Sequence, residues 1–84
     1  MKLSQNENNI KRIDLSTIKI IILSIKENSS IRKTSLMVKT KITYPRLNLY
    51  LQWLIMMGFI LDCNTHFTVT TEGLKFVNRL SKNY

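Results

Sequence analysis

Residues 39–58, KTKITYPRLNLYLQWLIMMG, decide the fold. Thr43 suits the N-cap of a helix because its hydroxyl can accept a hydrogen bond from an unpaired N–H of the first turn, and Pro45 suits that turn because it lacks an N–H. Gly58 stands where helices commonly end in the left-handed conformation. The stretch therefore predicts a helix from residue 44 to about residue 57. Its apolar face consists of Leu47, Leu51 and Leu54.

Positive charge is concentrated around the start of this helix. Thirteen Lys and Arg against five Asp and Glu give a formal net charge of +8. Residues 32–46 contain five basic residues and no acidic one, which favours a binding face over general solubility. A helix N-terminus also attracts anions. We therefore expect a polyanionic partner, with phosphate contacts from Arg32, Lys33, Thr34, Lys39 and Lys41.

The N-terminal part of the chain divides into a tail and a helix. Residues 1–11 are polar and lack periodicity, so we expect a frayed or disordered basic tail before a single domain over residues 12–84. Apolar residues share one face from Asp14 to about residue 28, which predicts a first helix capped by Asp14 or Ser16. Ile20 and Leu23 lie on its opposite side, and they suggest a second surface that must be covered.

The segments on either side of the 39–58 stretch complete the domain. A second helix is predicted over residues 31–38, with Ser29 or Ser30 as its cap. Residues rich in β-formers flank a turn-rich tip at residues 63–66, which predicts a hairpin. A last helix begins at Thr70 or Thr71 and continues to about residue 82. The result is a mainly α chain with a small β-hairpin, an α+β class. Its order of helix, helix, turn, helix, hairpin and helix is that of a winged helix-turn-helix domain.

Several of these segments resemble the small archaeal winged-helix regulators, a group that includes the archaellum regulator and the Sso10a-type chromatin proteins. The resemblance covers about residues 13–80. It rests on KTSLMVKTKITY at residues 33–44, on Leu47, Tyr50, Leu51 and Leu54, on GFI at residues 58–60 and on VTTEGLKF at residues 69–76. What the resemblance implies is a dimeric DNA-binding protein, either sequence-guided or architectural.

Side chains near the start of the 44–57 helix are the candidates for reading DNA, since a helix fits the major groove. Arg46 matches the two acceptors of guanine, Asn48 can pair with adenine, and Leu49 can pack on a thymine methyl group. The hydroxyls of Thr43 and Tyr44 can hold phosphates. The alternative is that Arg46 is simply solvated and that Thr43 serves only as a cap.

An apolar stripe of Leu49, Trp53 and Met56 lies on the outward face of the same helix, where DNA-reading proteins usually carry polar side chains. Such a patch is unusual on a monomer surface. Either the predicted hairpin, which is the wing of this fold, folds back and covers Trp53, or the stripe is a protein–protein surface.

The hairpin tip offers Asn64, Thr65 and His66 for minor-groove or phosphate contacts. Asn and Thr also favour turns for purely local reasons, which is the alternative. His66 and Cys63 are too few for a structural zinc site, so we expect no bound metal.

Other function classes find little support in the composition. One histidine, scattered acids and two glycines leave no catalytic constellation, so we expect no enzyme, no cofactor and no small-molecule ligand. A single cysteine, the lack of a signal-like N-terminus and the lack of a long apolar run predict a cytoplasmic, nucleoid-associated protein without a membrane segment.

The sequence thus predicts a homodimeric, sequence-guided binder of double-stranded DNA and a transcriptional regulator. The alternatives are a winged-helix module for protein–protein interaction and a sequence-independent architectural chromatin protein. For the homodimer, the expected interface residues are Ile20, Leu23, Phe76, Leu80 and Tyr84.

Overall fold

The computed structural model describes residues 13–83, and side chains as far as residue 81. The tail predicted for residues 1–11 lies outside the described residues. Within them, four helices and one antiparallel hairpin confirm the predicted α+β class and the element order of a winged helix-turn-helix domain. The elements are helix α1 (Leu15–Glu27), helix α2 (Lys33–Thr40), helix α3 (Tyr44–Met56), strand β1 (Ile60–Cys63), strand β2 (His66–Val69) and helix α4 (Thr71–Asn83).

Helix α1 forms the centre of the core. Asp14 is its N-cap, and the carboxylate accepts a hydrogen bond from the Ser16 N–H at 3.1 Å. Ile20 is 51% exposed, as predicted, but Leu23 is half-buried and packs against the core. Leu23 is therefore not left in water, because α2, β2 and α4 all pack around α1. The fully buried residues of α1 are Ile18, Ile21, Ile22 and Ile25.

Helix α2 begins two residues later than predicted. Its N-cap is Arg32, which makes no side-chain cap hydrogen bond, so the prediction of a serine cap at Ser29 or Ser30 is wrong. The physical reason is a β-bridge between Ile31 and Phe67 of β2, which holds Ile31 in an extended conformation. The Ile31 N–H donates to the Phe67 carbonyl at 3.2 Å, and the Phe67 N–H donates back at 2.9 Å. Ile31 thus lies along the second edge of β2.

Helix α3 follows its predicted bounds closely. Pro45 lies in the first turn, and Gly58 ends the helix region with φ +79°. Thr43 is the N-cap, but its exposed side chain makes no cap hydrogen bond, so that part of the prediction is wrong. The backbone carbonyl of Thr43 accepts the Leu47 N–H at 2.8 Å instead. The buried face comprises Leu47, Tyr50, Leu51 and Leu54.

The hairpin has a tighter turn than predicted. Cys63 lies opposite His66 in the strand register, so both belong to strands and only Asn64 and Thr65 form the turn. Asn64 adopts φ +74°, a conformation that asparagine tolerates better than most residues. The Asn64 N–H donates to the Asp62 carboxylate at 3.1 Å, which stabilises this conformation.

Helix α4 is fixed against the start of the hairpin. The Thr70 hydroxyl accepts the Gly73 N–H at 3.0 Å, which confirms Thr70 as one of the two predicted caps. A Cβ atom on Gly73 would collide with the carbonyl oxygen of Phe59, so the glycine lets α4 approach the hairpin backbone. The Phe59 ring stacks on Phe76 with the centroids 4.5 Å apart and meets Trp53 edge-on at 6.1 Å. These rings connect α3, the hairpin and α4.

Candidate nucleic-acid interface

The turn between α2 and α3 contains an exposed lysine, Lys41. Lys41 adopts the left-handed conformation with φ 59°, and its N–H donates to the Met37 carbonyl at 2.8 Å, which ends α2. Ile42, the next residue, is buried and anchors the turn to the core. The Lys41 side chain is exposed. The backbone therefore holds one positive charge at the point where the chain enters α3.

Three of the predicted DNA-contact residues meet in space at the N-terminal half of α3. Lys33 Nζ donates to the Asn48 side-chain oxygen at 3.0 Å and lies 5.0 Å from the centre of the Tyr44 ring. Tyr44 remains 51% exposed. The Lys33 contact occupies the oxygen that Asn48 would need, together with its NH₂ group, to pair with adenine. If Asn48 reads DNA, its side-chain oxygen must therefore lose the hydrogen bond from Lys33 before the amide can pair with a base.

Arg46 lies on the opposite flank of α3, beside the start of α1. Its guanidinium carbon is 5.9 Å from the centre of the Tyr50 ring, and the Tyr50 hydroxyl accepts the Asp14 N–H at 2.9 Å. Hydrogen bonds from the Ser16 hydroxyl and then the Ser16 N–H hold the pKa of Asp14 below its usual value, with smaller contributions from Thr17 and from the charge of Arg46. Arg46 itself is exposed, so the N–H donors of its guanidinium group remain accessible.

The outward stripe of α3 is covered in part. Trp53 is half-buried because the Phe59 ring at the base of the hairpin packs against it, which agrees with one of the two alternatives drawn from the sequence. Leu49 and Met56 remain 48% and 74% exposed. The sequence analysis missed further exposed apolar side chains beside them, because their exposure depends on how the hairpin leaves α3. These are Ile55, Met57 and Leu61.

The predicted phosphate contacts divide between two sides of α2. Lys33 faces α3, whereas Arg32 and Lys39 line an open cleft together with His66, the residue that directly follows the hairpin turn. Lys39 also lies 4.0 Å from the carboxylate of Glu27. Residues 32–46 lack acids in sequence, but the end of α1 brings one close in space. Thr34 and Lys41 are exposed.

The three residues predicted for the wing differ in their solvent exposure. Asn64 and Thr65 are exposed at the turn, while His66 is half-buried in β2. The Thr65 hydroxyl lies 2.7 Å from His66 Nδ1. Nδ1 of His66 is therefore engaged by its neighbour in the chain.

The residues predicted for the dimer interface differ in their solvent exposure. Ile20 is the most exposed of them, whereas Leu80 is only 8% exposed and Phe76 is half-buried under its stack with Phe59. Tyr84 lies outside the described residues. A groove of about 310 Å³ runs between α1 and α4 beside this region. It is lined by Asp14, Leu15, Ser16, Lys19 and Leu80.

Residues 13–83 contain neither a metal-binding cluster nor a helix that could span a membrane. Nowhere in that range do three or more His, Cys, Asp or Glu side chains come together in a way that could hold a metal ion. Cys63 is exposed and carries a free thiol. None of the helices in the same range is long and apolar enough to cross a membrane.

Comparison with known proteins identifies a family. A protein-family model described as winged helix-turn-helix matches residues 11–83, which is most of the chain. Neither the curated proteins nor the solved structures include a significant match.

Proposed function

The chain belongs to the winged helix-turn-helix family, and from this premise we propose that it binds double-stranded DNA and regulates transcription as a homodimer. Domains of this family are typically non-enzymatic and suggest DNA binding. The proposed reading element is α3, with the hairpin as the wing. A two-fold dimer would address half-sites about one helical turn of DNA apart.

One observation carries this proposal, namely the cluster of Lys33, Tyr44 and Asn48 at the start of α3. Lys33 Nζ lies within 3.0 Å of Asn48 and 5.0 Å of the Tyr44 ring centre, so a cation and two polar side chains converge at the start of α3. Lys41 adds a second charge from the turn. Phosphate contacts fix the register of a protein on DNA, while neighbouring side chains on the helix read the bases. The cluster has the chemistry that both tasks require.

The experiment is a fluorescence-anisotropy titration of mixed duplex DNA over a range of salt concentrations. We expect the logarithm of the affinity to fall linearly with the logarithm of the salt concentration, and we expect Lys41→Ala to reduce that slope by roughly one. Arg46→Ala should instead reduce sequence preference by roughly 1 to 3 kcal/mol. The matched control is Lys75→Ala, which removes an exposed lysine from α4 and should leave the slope unchanged.

A second candidate function follows from the apolar side chains that α3 leaves exposed. Leu49 and Met56 are 48% and 74% exposed, and aromatic and Met side chains are enriched at the centre of protein interfaces. This observation favours a winged-helix module for protein–protein interaction. Failure to bind DNA at about 50 mM salt, where even non-specific binding should be detectable, would favour it. A Trp53 fluorescence change with a protein partner, but not with DNA, would then identify the surface.

The finer identity of the protein is also a proposal. The resemblance at residues 33–44 and 69–76 supports a place among the small archaeal regulators, with the nucleoid of the cytoplasm as the location. An architectural chromatin protein shares this fold, and it would show the same salt slope for every DNA sequence tried. A slope or affinity that differs between sequences supports the sequence-guided regulator.

A further inference from the structure

Three basic side chains from different parts of the fold meet in an open cleft of about 370 Å³. Arg32 is the N-cap of α2, Lys39 lies in the last turn of α2, and His66 comes from the start of β2. No residue of α3 is among those that line the cleft. The cleft is therefore a separate place from the cluster at the start of α3.

Backbone pairing holds these side chains together. The two hydrogen bonds between Ile31 and Phe67 place the start of α2 beside the first residues of β2, so Arg32 is held near His66. Ser35 and Lys39 are four residues apart on α2 and share one helix face with Arg32. The positions of these side chains in the cleft are therefore set by backbone pairing and by the helix, and not only by the conformations of flexible side chains.

The donors in the cleft have few partners inside the protein. Among residues 13–83, no hydrogen bond or ion pair engages the side chains of Arg32, Ser30 or Ser35. Lys39 is 4.0 Å from Glu27, and an exposed pair at that distance contributes little. The Asn28 amide is committed to the Ser24 carbonyl at 2.7 Å, so it is not available. Guanidinium, ammonium and two hydroxyl groups are thus free to bind an anion.

From this geometry we propose that the cleft between α2 and β2 binds a phosphate group. The guanidinium of Arg32 can donate two parallel hydrogen bonds to phosphate oxygens, and Lys39 supplies a point charge. The hydroxyls of Ser30 and Ser35 can donate further hydrogen bonds. The phosphate belongs either to the DNA backbone, in which case the site rests on the proposed DNA-binding function, or to a free phosphorylated small molecule.

His66 forms the wall of the cleft opposite α2. It is the only histidine of the chain, so its imidazole gives a single reporter signal at the site. Cys63 lies opposite it on β1, and the Thr65 hydroxyl lies 2.7 Å from its Nδ1.

The first arm of the test uses inorganic phosphate and follows the single imidazole signal of His66 by NMR at about pH 6. We expect a saturable shift in the wild-type protein that chloride at equal ionic strength does not produce. Arg32→Gln should abolish it, while Lys75→Gln should retain it, because Lys75 is an exposed lysine on α4 that does not line the cleft. A shift that is the same in Arg32→Gln and wild type counts against this arm.

The second arm uses the DNA titration of the previous subsection. Lys39→Gln should reduce the salt slope by about 0.9 if Lys39 contacts a backbone phosphate, whereas the matched Lys75→Gln should not. Urea unfolding of each variant verifies that the fold is retained.

The arms separate the two sources and the two proposals. A response to inorganic phosphate with an unchanged DNA slope in Lys39→Gln assigns the cleft to a free phosphorylated ligand. A reduced DNA slope assigns it to the DNA backbone. If DNA binds but both arms are negative, the cleft proposal is wrong and the DNA-binding function stands. If DNA does not bind at all, that function fails, and the phosphate arm alone decides the cleft.

Discussion

The proposed DNA contact of Lys41 makes a prediction about stability as well as about binding. A left-handed residue that carries a Cβ costs roughly 1–2 kcal/mol, and glycine avoids this cost but loses about 0.5–1 kcal/mol through the entropy of the unfolded chain. With φ 59° at Lys41, we expect Lys41→Gly to raise the free energy of unfolding by up to about 1 kcal/mol while it weakens DNA binding. Urea unfolding and DNA anisotropy on the same samples measure both effects.

Lys41→Arg is the control for this substitution, since it keeps the charge and the backbone strain. Both its stability and its salt slope should match the wild type. If Lys41→Gly bound DNA as tightly as the wild type, the charge in the turn would have no part in binding.

Asp14 predicts a pH dependence of stability at the start of α1. Hydrogen bonds from Ser16 depress the pKa of Asp14 in the folded protein, so its stabilising contribution is complete above the unfolded-state pKa and is lost as the pH falls through the folded-state pKa. Asp14→Asn should therefore lower the thermal midpoint at about pH 7 and have little effect at about pH 2. Thermal unfolding of both proteins across this range is the measurement. An equal difference at both pH values would contradict the ionised cap.

At the scale of elements, the contact between α4 and the hairpin depends on Gly73. Alanine is the better helix former by about 1 kcal/mol, but the added Cβ would collide with the Phe59 carbonyl oxygen and lie 3.0 Å from Val69 Cγ1. A backbone carbonyl cannot move aside as a flexible side chain can. We therefore expect Gly73→Ala to lower the free energy of unfolding, measured in urea, by about 1–3 kcal/mol.

Asn78→Ala is the matched control for Gly73→Ala. Asn78 is exposed on the same helix, so alanine there should have no clash and should leave stability equal or slightly higher. A Gly73→Ala protein as stable as Asn78→Ala would mean that α4 can move away from the hairpin without cost.

Elements with local signals were predictable from the sequence, and elements that depend on distant pairing were not. Pro45 and Gly58 delimit α3 through the conformations they favour, and Thr70 begins α4 through a hydrogen bond to a residue three positions on. Ile31 carries no such signal, because its extended conformation depends on pairing with Phe67 far along the chain. The prediction for the start of α2 failed for that reason.

The candidate site shows the same limit. Sequence reasoning selected Lys33, Tyr44 and Asn48 singly, and the packing of α2 on α3 brings them together. It could not foresee that Glu27 approaches Lys39, because that depends on where α1 ends relative to α2. Spacing along one helix is visible in a sequence, whereas proximity between helices is a property of the folded chain.

At the scale of the whole molecule, the proposed homodimer makes a direct prediction about mass in solution. Ile20 is 51% exposed and Leu15 is 39% exposed on α1, which leaves apolar surface for a second copy. We expect sedimentation of the wild-type protein at tens of micromolar to give the dimer mass. Ile20→Glu should give the monomer mass with an intact fold, because a charge in an apolar interface is costly.

Val38→Glu is the control for the dimer prediction. Val38 is 76% exposed on α2, outside the predicted interface, so this variant should remain a dimer. A wild-type protein that sediments as a monomer would remove the homodimer from the proposed function.

The pairing order of the small sheet has a consequence for the solution behaviour of the protein. Ile31 and β1 flank β2 on its two sides, so within residues 13–83 the outer edge of β1 has no strand partner. An open edge is a template for strand addition by another chain, and Leu61 there is 55% exposed. Asp62 places a charge in the middle of that four-residue edge, and such charges hinder edge-to-edge aggregation. Asp62 is thus the charge within β1 that opposes edge-to-edge association at the high concentrations that structural work requires.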